Sequence, residues 1–351
     1  MELHPTHITL NGTPIRIETL LRKTSGSSDW EKSLLDFLAE WYNDKDFIEV
    51  QTSGSTGTPK VIRLNKAFVA ASALRTIRFF NLEENDQVLH CLPTRYIAGK
   101  LTVVRALIGN LNVHVVDPST DFSFLQKEPF KFAAMVPNQV QKLLTFVRQP
   151  ADWNLKFLLI GGSAVPASLE ENLQSRQTAC YSSYAMTETA THIALRKLNG
   201  ADASEFYHCL ENIEVELSEE GCLRIKMPGL EKPLQTNDLA ELRDKKTFQI
   251  LGRADNVIIS GGIKFSPEQL ERKLEPHIRQ PFMISWLPHE TLGQQLILIV
   301  EGSQSRASTT RLQTAIHNHL DKFERPRQIR FLPQLPRTPN GKIDRKSVYQ
   351  D

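Results

Sequence analysis

Between residues 45 and 185, short apolar runs alternate with segments of helical composition, and this alternation restricts the possible folds more than any other feature of the chain. Strands that alternate with helices favour a mainly parallel sheet covered by helices. In such a sheet, ligands bind at the carboxyl ends of the strands. The predicted strands are 47–54, 87–93, 112–117 and 130–137, the predicted helices are 65–80, 100–110 and 138–148, and 155–175 combines a strand, a Gly-Gly turn and a helix.

After about residue 205 the pattern changes. Residues 213–227 alternate between apolar and polar around a turn, which predicts an antiparallel hairpin. Residues 251–274 predict a strand, a double glycine, a second strand and a helix begun by Ser266 and Pro267. We therefore expect a small α+β region at the C-terminal end, with a polar, turn-rich tail over 335–348.

Composition excludes several classes of protein. A chain of 351 residues predicts two or three domains, and a net charge of +2 gives no argument for nucleic acid or a membrane surface. The polar N-terminus lacks the apolar segment of a secretory signal, and the longest apolar runs, such as 296–300, are too short to span a bilayer. We expect a cytoplasmic protein with reduced thiols, since its cysteines form no CxxC pair and no metal-ligand spacing. These cysteines are Cys91, Cys180, Cys209 and Cys222.

The stretch QTSGSTGTPK, residues 51–60, is rich in Gly, Ser and Thr. Such a stretch can be a flexible linker, or it can be a phosphate cradle made of exposed N–H groups and hydroxyls. It does not fit the P-loop NTPase pattern, because only two residues separate Gly54 from Gly57 and because Val61, not Ser or Thr, follows Lys60. From the composition of the stretch alone, both alternatives stay open.

Six segments in order along the chain resemble the motifs of the adenylate-forming superfamily, which includes acyl-CoA synthetases, adenylation domains and luciferases. Each segment alone is a weak or moderate signal, but six in the right order make chance a poor explanation. The segments are TSGSTGTPK (52–60), GGSAVP (161–166), SYAMTET (183–189), TNDLAEL (236–242), GRADNVIISGG (252–262) and RTPNGKIDR (337–345).

The resemblance implies an α/β fold with two domains. Residues 1–253 form the large N-terminal domain of mixed, mainly parallel sheets covered by helices, with the ATP and acyl sites. Residues 254–351 form a small mobile α+β C-terminal domain that carries the terminal lysine loop. Members of the superfamily are commonly longer, so the resemblance also implies a shortened N-terminal region. The implied reaction joins an acid to CoA, uses ATP and Mg²⁺, and passes through an acyl-adenylate.

The resemblance also assigns roles to individual residues. Thr187 is placed near the α-phosphate, Glu188 on Mg²⁺, and Lys342 as the adenylation lysine, so that these three are the catalytic candidates. Without the motifs, a glutamate or a lysine near a C-terminus is usually solvated surface. The grip on the β- and γ-phosphates is assigned to Ser53, Gly54, Ser55, Thr56, Gly57, Thr58 and Lys60.

The remaining assignments concern the nucleoside, the hinge and CoA. Asp238 is implied to accept hydrogen bonds from the ribose hydroxyls with Arg253 nearby, although an Asx-turn explains Asp238 about as well. Asp255 matches the hinge between the domains. Gly162, Ser163, Ser183 and Tyr184 are implied to flank the adenine, and Gly261 and Gly262 to line the path of pantetheine.

The chain departs from the family pattern at four positions. Ala185 and Asn237 replace glycines, Asn256 replaces the second Asp of the hinge motif, and Tyr96 stands where the family has a histidine that gates the acyl pocket. The first three leave the implied ligand contacts intact. Tyr96 puts the shape of the acyl pocket in doubt, although it keeps an aromatic ring and a donor.

Within the superfamily, the chain resembles the ligases that act on o-succinylbenzoate in menaquinone biosynthesis. The features that carry this resemblance are residues 186–196, residues 259–271 and the short length of the chain. That acid has a second carboxylate, which needs a basic anchor. Arg95, Lys100 and Arg105 lie in the acyl-pocket segment, and Lys100 is the candidate anchor, with a solvated lysine as the alternative. Other possibilities are a ligase for another aryl or acyl acid, a carrier-protein loader, and a non-catalytic adenylate-binding homologue. A homodimer is left open.

Overall fold

The computed structural model describes residues 3–23, 28–51, 61–147, 153–337, 343–345 and 347. The predicted phosphate loop, 52–60, and Lys342 lie outside these residues. The chain forms two compact units: unit 1 comprises residues 1–165 and 169–213, and unit 2 comprises residues 166–168 and 214–351. The predicted domain boundary at 253/254 was placed at the hinge motif. A division into compact units does not test where a hinge lies, so this boundary stays a prediction.

The described helices and strands of unit 1 alternate as the sequence predicts. Its strands are β1 (His7–Leu10), β2 (Thr13–Arg16), β3 (Phe47–Gln51), β4 (Val61–Asn65), β5 (Gln87–His90), β6 (Asn112–Val115), β7 (Phe130–Met135), β8 (Leu155–Ile160), β9 (Ala179–Ala185), β10 (His192–Lys197) and β11 (Tyr207–Cys209). The helices over the same stretch of chain are α1 (Ile17–Leu21), α2 (Asp29–Trp41), α3 (Lys66–Phe79), α4 (Ile97–Gly109), α5 (Pro137–Phe146) and α6 (Ala167–Leu173).

The main sheet of unit 1 has the strand order β11-β10-β9-β8-β7-β5-β6-β1-β2. Its centre, from β6 to β9, is parallel, and antiparallel strands lie at both ends. The predicted α/β class with a mainly parallel sheet is confirmed. Strand β7 is buried at almost every position, as expected for a parallel strand with both faces covered.

The strand predicted to enter the phosphate loop does not join this sheet. Strands β3 and β4 form a separate antiparallel pair, in which Gln51 is opposite Val61. The two ends of the segment 52–60 are therefore held side by side. This arrangement is typical of a hairpin. The alternation of strands and helices in the sequence does not by itself predict that these two strands pair with each other.

The core of unit 1 lies between the parallel strands and their helices. Met135, Leu158 and Cys180 lie in three successive strands and belong to one hydrophobic cluster with Leu143 of α5. These side chains are at most 1% exposed, so truncating Leu158 to alanine would cost about 2–5 kcal/mol. Cys91, Cys180 and Cys222 are buried free cysteines, and Cys209 is half-buried.

Unit 2 contains two sheet regions and two described helices. The first region is β12 (Glu214–Leu217), β13 (Cys222–Lys226), β14 (Leu234–Asp244) and β15 (Thr247–Arg253), and the second is β16 (Ile258–Ser260), β17 (Ile263–Phe265), β18 (Phe282–His289), β19 (Gly293–Glu301) and β20 (Gln328–Leu332). The described strand pairs within the unit are antiparallel except for the parallel pair of β19 and β20. The helices are α7 (Pro267–Leu274) and α8 (Arg306–His319). The predicted hairpin over 213–227 is confirmed, and so are the double-glycine turn and the helix that begins at Pro267. Within the residues described, no helix is both long and apolar enough to cross a bilayer.

Candidate active site

The turn predicted to flank the adenine lies at the carboxyl end of β8. Strands β8 and β9 are parallel with Ile160 opposite Ser182, so the turn after β8 lies beside Ser183. A Cβ on Gly161 would lie 2.5 Å from Ser183 Oγ, so a larger residue there would displace that hydroxyl from its hydrogen bond to the Ile160 carbonyl. Gly162 follows with a φ of 85°, in the left-handed region that glycine enters without a steric cost.

All four predicted adenine-side residues lie at this edge of the sheet. Gly162 and Ser163 are exposed, whereas Ser183 and Tyr184 are half-buried. The Tyr184 ring packs edge-on against Tyr207, with 6.0 Å between the ring centroids. An exposed turn beside hydroxyls and a fixed aromatic ring suits a flat heterocycle, although the contact with adenine stays a prediction.

The catalytic pair predicted from SYAMTET lies just beyond the same edge. A short 3₁₀ turn, Thr187–Thr189, follows β9, and the buried Thr189 hydroxyl donates to the Thr191 carbonyl at 2.6 Å. Ala190 closes the turn with a φ of 62°, a conformation that costs about 1–2 kcal/mol for a residue with a Cβ. The tight turn fixes the direction in which the Glu188 side chain leaves the backbone.

Glu188 suits a magnesium ion that arrives with phosphate. The residue is half-buried, and among the residues that the structure describes it forms no ion pair. Mg²⁺ is usually held by one or two carboxylates together with substrate phosphates and water. No group of three or more His, Cys, Asp and Glu side chains is placed to hold a metal within the described ranges. A single carboxylate is a donor that Mg²⁺ accepts when phosphate oxygens and water complete its ligands.

Three buried basic side chains lie together in unit 1. Arg75 of α3, Arg105 of α4 and His192 of β10 are 7%, 3% and 3% exposed. Burial lowers the pKa of Arg105 to about 9 and also lowers the pKa of Arg75, despite the distant charge of Glu211. The pKa of His192 lies well below its ordinary value because of burial and because the charges of Arg105 and Arg75 are close.

Several donors of this cluster are unsatisfied. Within the described part of the chain, Arg105 Nε and both Nε and Nη2 of Arg75 are buried without a hydrogen-bond partner. His192 Nε2 lies 3.2 Å from the Thr76 hydroxyl, and the Arg105 guanidinium lies 5.8 Å from the centre of the Phe132 ring. A buried charge without a counter-charge is strongly unfavourable, so this cluster has the properties of a site for an anion.

The acyl-pocket segment begins with a close approach of backbone to backbone. A Cβ on Gly99 would lie 2.7 Å from the Leu92 carbonyl oxygen, so glycine is required where α4 begins. Tyr96, which precedes α4, is 40% exposed, and the Arg95 guanidinium lies 5.0 Å from its ring centre. Its place in an acyl pocket stays a prediction.

Lys100 is not the solvated lysine that the alternative interpretation expects. Its side chain is 8% exposed and its ammonium group is paired with Glu40. It also donates to the Glu49 carbonyl at 2.8 Å and lies 5.0 Å from the Phe37 ring centre. A substrate carboxylate would have to compete with these partners, so the anchoring role of Lys100 stays a prediction with a clear structural alternative.

In unit 2, Asp238, Arg253 and Asp255 form a connected ion-pair network. Arg253 donates to Asp238 Oδ1 at 3.0 Å and to Asp255 Oδ2 at 3.1 Å, and Asn237 Nδ2 donates to the same Asp255 oxygen at 3.1 Å. Burial opposes the charge of Arg253, yet the two carboxylates raise its pKa above the ordinary value. The guanidinium thus orients Asp238 and ties the predicted hinge residue to the predicted ribose site.

The glycines predicted to line the pantetheine path form a tight hairpin turn. Gly261 and Gly262 connect β16 to β17, and their φ values are 58° and 83°. A two-residue hairpin with both central φ values positive favours glycine for its conformation alone. Beside Gly262 a Cβ would meet nothing within 4 Å, so any narrowing of a pantetheine path there stays a prediction.

Sequence reasoning did not single out Arg75, nor the pairing of Arg345 with Glu271. The signal for Arg75 was present, since it interrupts the apolar side of helix α3. The seven predicted residues of the phosphate loop and Lys342 lie outside the described residues, so their roles stay predictions.

The fold and the arrangement of motifs along it define a class of enzymes that bind AMP. The family model of the AMP-binding enzymes matches residues 7–220. A crystal structure from Dyadobacter fermentans, of an acyl-CoA synthetase (AMP-forming)/AMP-acid ligase II-like protein, is 34% identical, covers 95% of this chain and 97% of its own, and has a TM-score of 0.63. This chain belongs to the AMP-binding enzyme family.

Particular relatives narrow the comparison. The 2-succinylbenzoate–CoA ligases of Haemophilus influenzae and Lactococcus lactis are 27% and 25% identical to this chain. The alignments cover 85% and 88% of this chain and 69% and 72% of those proteins. The O-succinylbenzoate coenzyme A synthetase of Bacillus subtilis, solved with ATP and magnesium, has a TM-score of 0.73 at 21% identity, over 86% of this chain and 69% of its own. At that identity the similarity concerns the fold alone.

Proposed function

We propose that this chain is an ATP-dependent acid–CoA ligase that acts through an acyl-adenylate. The observation that carries the proposal is the position of two motifs, 161–163 and 183–188, which lie at the carboxyl ends of the neighbouring parallel strands β8 and β9. Those ends are where sheets of this class bind ligands. Membership of the AMP-binding enzyme family supports the same assignment.

The proposed reaction has two steps. A carboxylate oxygen of the acid attacks the α-phosphorus of ATP, and the bond to the departing pyrophosphate breaks. The CoA thiolate then attacks the acyl carbon, and AMP leaves. The first step brings two anions together, so it requires positive charge and accurate positioning.

Different residues of this chain would supply the charge and the positioning. Glu188 would hold Mg²⁺ against the phosphates, and Mg²⁺ would supply charge neutralisation there. Thr187 would contact the α-phosphate, and Lys342 would bridge the attacking carboxylate and the same phosphate. Asp238, oriented by Arg253, would accept hydrogen bonds from the ribose hydroxyls.

The proposed acid is o-succinylbenzoate, the substrate named for the bacterial ligases above. One of its carboxylates reacts and the other needs neutralisation in the acyl pocket. Arg105 and Arg75 supply buried donors without a partner among the described residues, whereas Lys100 is already paired with Glu40. The cluster of unit 1 is therefore a better proposed anchor for the second carboxylate than Lys100.

A thioester assay tests the proposal. The protein is incubated with ATP, Mg²⁺, CoA and either o-succinylbenzoate, benzoate or a fatty acid, and pyrophosphate and thioester are measured. We expect both products with o-succinylbenzoate and far less with the monocarboxylic acids. Equal or better turnover of another acid would assign a different substrate, and pyrophosphate without transfer to free CoA would indicate a carrier-protein loader. Absence of pyrophosphate with every acid would favour a non-catalytic homologue.

The role of Lys342 has its own test. Lys342→Ala should abolish pyrophosphate release and spare thioester formation from supplied acyl-adenylate, because the lysine is needed only while the carboxylate and the phosphate approach. Equal loss of both steps would reject this role. A cytoplasmic location and a homodimer stay predictions.

A further inference from the structure

The tyrosine ring that is predicted to flank the adenine is supported by a second tyrosine of the same sheet. Tyr184 lies on β9, and its ring packs edge-on against Tyr207 of β11, with 6.0 Å between the ring centroids and 62° between the ring planes. Ser182, two residues before Tyr184, shares a hydrogen bond of 3.0 Å with the Tyr207 hydroxyl. Residues two apart on a strand point to the same face of a sheet. Tyr207 therefore contacts two successive side chains on one face of β9.

The register of the strands explains how Tyr207 reaches β9. Strand β10 lies between β9 and β11, and its residue opposite Tyr184 is Ala194. Ala194 is fully buried, and its side chain is a single methyl group. A ring that extends from β11 can cross such a small residue, whereas a branched side chain at position 194 would occupy the space between the two tyrosines.

The Tyr207 ring is itself held in place. The Arg196 guanidinium lies 5.8 Å from the centre of the ring, a contact in which a cation is attracted to an aromatic face. Arg196 is paired with Glu170 of α6 and also donates to the Ser204 carbonyl at 3.3 Å. Its side chain is only 11% exposed. The Tyr207 ring is therefore fixed both at its hydroxyl and by a guanidinium that is anchored on two sides.

The place of Tyr184 in the sheet gives this support a consequence for ligand binding. Strands β8 and β9 are parallel with Ile160 opposite Ser182, so the exposed turn at Gly162 and Ser163 lies at the same edge as the half-buried Tyr184 ring. A base stacks well on an aromatic ring only when the two planes are aligned. A ring that is free to tilt should therefore bind a base less tightly than a ring that is held.

We propose that Tyr207 is a positioning residue that holds the Tyr184 ring in place for the adenine of ATP. The inference rests on the proposed function, because the contact of Tyr184 with adenine does. Tyr207 touches neither the nucleotide nor the acid in this scheme. Since adenine takes no part in the bonds that form and break, Tyr207 contributes to the affinity for ATP and not to the chemical step.

The test measures the affinity of Tyr207→Leu for ATP. Titration calorimetry with ATP and Mg²⁺ gives the Kd, and pyrophosphate release with o-succinylbenzoate gives kcat and both KM values. We expect the Kd and the KM for ATP to rise roughly 3- to 10-fold, the range that the loss of an aromatic pair supports. The kcat and the KM for the acid should stay within about twofold. An unchanged Kd for ATP, or an equal rise in the KM for the acid, would overturn the inference.

A double variant separates an effect through Tyr184 from an independent one. Tyr184→Leu alone should raise the Kd for ATP roughly 10- to 100-fold, because it removes the stacking surface. Adding Tyr207→Leu to that variant should change the Kd by less than about twofold, since no ring is left to hold. Additive effects of the two substitutions, or an unchanged Kd in Tyr184→Leu, would overturn the inference.

Tyr181→Leu is the matched control. Tyr181 is a half-buried tyrosine of the same strand, and its ring packs edge-on against Phe79 and Phe80, with centroid distances of 5.5 Å and 5.4 Å. It lies one residue before Ser182, so it points to the opposite face of β9. The control should leave the Kd for ATP unchanged. A rise as large as that in Tyr207→Leu would assign the effect to a general loosening of β9 and would overturn the positioning role.

Two further substitutions complete the test. Tyr207→Phe keeps the ring and loses only the hydrogen bond to Ser182, so its Kd for ATP should rise no more than about threefold. Tyr207→Met replaces the ring with a flexible side chain if Tyr207→Leu fails to fold, and a normal Kd in that variant would overturn the inference. If the wild type binds ATP but releases no pyrophosphate with any acid, the proposed function fails, and the affinities still decide the role of Tyr207. If the wild type is active, a normal Kd in Tyr207→Leu rejects only the positioning role.

Discussion

Arg105 of unit 1 and Arg345 of unit 2 are both largely buried guanidinium groups, but their surroundings differ. Arg345 is paired with Glu271, has Glu268 nearby and donates to a carbonyl. Arg105 has Arg75 and His192 for neighbours and, within the described residues, a buried Nε without any partner.

The difference separates two uses of a buried cation. A pair with matched hydrogen bonds fixes the backbone segments that carry it, and its desolvation is offset within the protein. A cation buried beside other cations remains uncompensated until an anion arrives. We infer that the Arg345 network maintains structure, whereas the Arg105 cluster is the proposed anchor for a substrate carboxylate.

The largest effect on kinetics is expected from the replacement of Arg105 with methionine. If the cluster binds the second carboxylate, Arg105→Met should raise the KM for o-succinylbenzoate roughly 100- to 1000-fold, because a buried charged contact is worth about 2–5 kcal/mol. The KM for ATP should not change, and thermal stability should stay equal or rise, since an uncompensated charge is removed. Steady-state kinetics and a melting curve measure both. A clear loss of stability with an unchanged KM would show that Arg105 has a structural role, as Arg345 does.

The same substitution at Arg345 should have the opposite effect on stability. Arg345→Met leaves the half-buried Glu271 without its counter-charge, so we expect a loss of about 2 kcal/mol in the free energy of unfolding. Denaturant unfolding of the two methionine variants side by side gives the contrast directly. Equal stability of the two variants would show that pairing does not distinguish the two sites.

The third prediction concerns acid and uses His90, a further buried basic group of unit 1. Its Nδ1 has no partner in the described part of the chain, and burial lowers the pKa of His90 from 6.5 to about 4. The unfolded chain takes up a proton near pH 6.5 and the folded chain only near pH 4. The contribution of His90 to the free energy of unfolding should therefore fall as the pH drops through that window, by about 3 kcal/mol at most. Denaturant unfolding between pH 7 and 4 measures the slope, and His90→Gln should flatten it. An equally steep slope in that variant would assign the acid sensitivity to other groups.

The smallest expected effect tests the link between the predicted hinge and the Arg345 network. Asn256→Asp replaces a donor with a carboxylate beside Glu268, and we expect a loss of about 1 kcal/mol at neutral pH that lessens in acid. Gln313→Glu, an equivalent change of charge at an exposed position of α8, is the control. A stability equal to that of the control would remove Asn256 from the network.

Much of the fold follows from local patterns. The alternation between residues 45 and 185 predicted the parallel sheet, and Ser266 with Pro267 predicted the start of α7, because periodicity and helix caps act over a few residues. The separate β3–β4 hairpin was not predicted, since strand pairing is a long-range property. The motifs placed Gly162, Ser183, Thr187 and Glu188 at one edge because the turns after neighbouring parallel strands meet there.

The environment of charged side chains was the part that local patterns did not predict. Lys100 was expected to be either an anchor or a solvated surface residue, and it is buried against Glu40, which lies sixty residues earlier in the chain. Arg345 looked like part of a polar tail, yet its partner Glu271 lies 74 residues away. Burial and pairing depend on which distant segments pack together, and sequence spacing carries no signal of that.

The class of fold, the order of the motifs and the family could all be inferred from the amino-acid sequence, because these depend on residue types at fixed spacings. Which buried cations have a counter-charge became visible only in the folded chain. The physical reason is that a charge is stabilised by whatever lies within a few ångströms of it, and in a folded chain those neighbours come from segments far apart in the sequence.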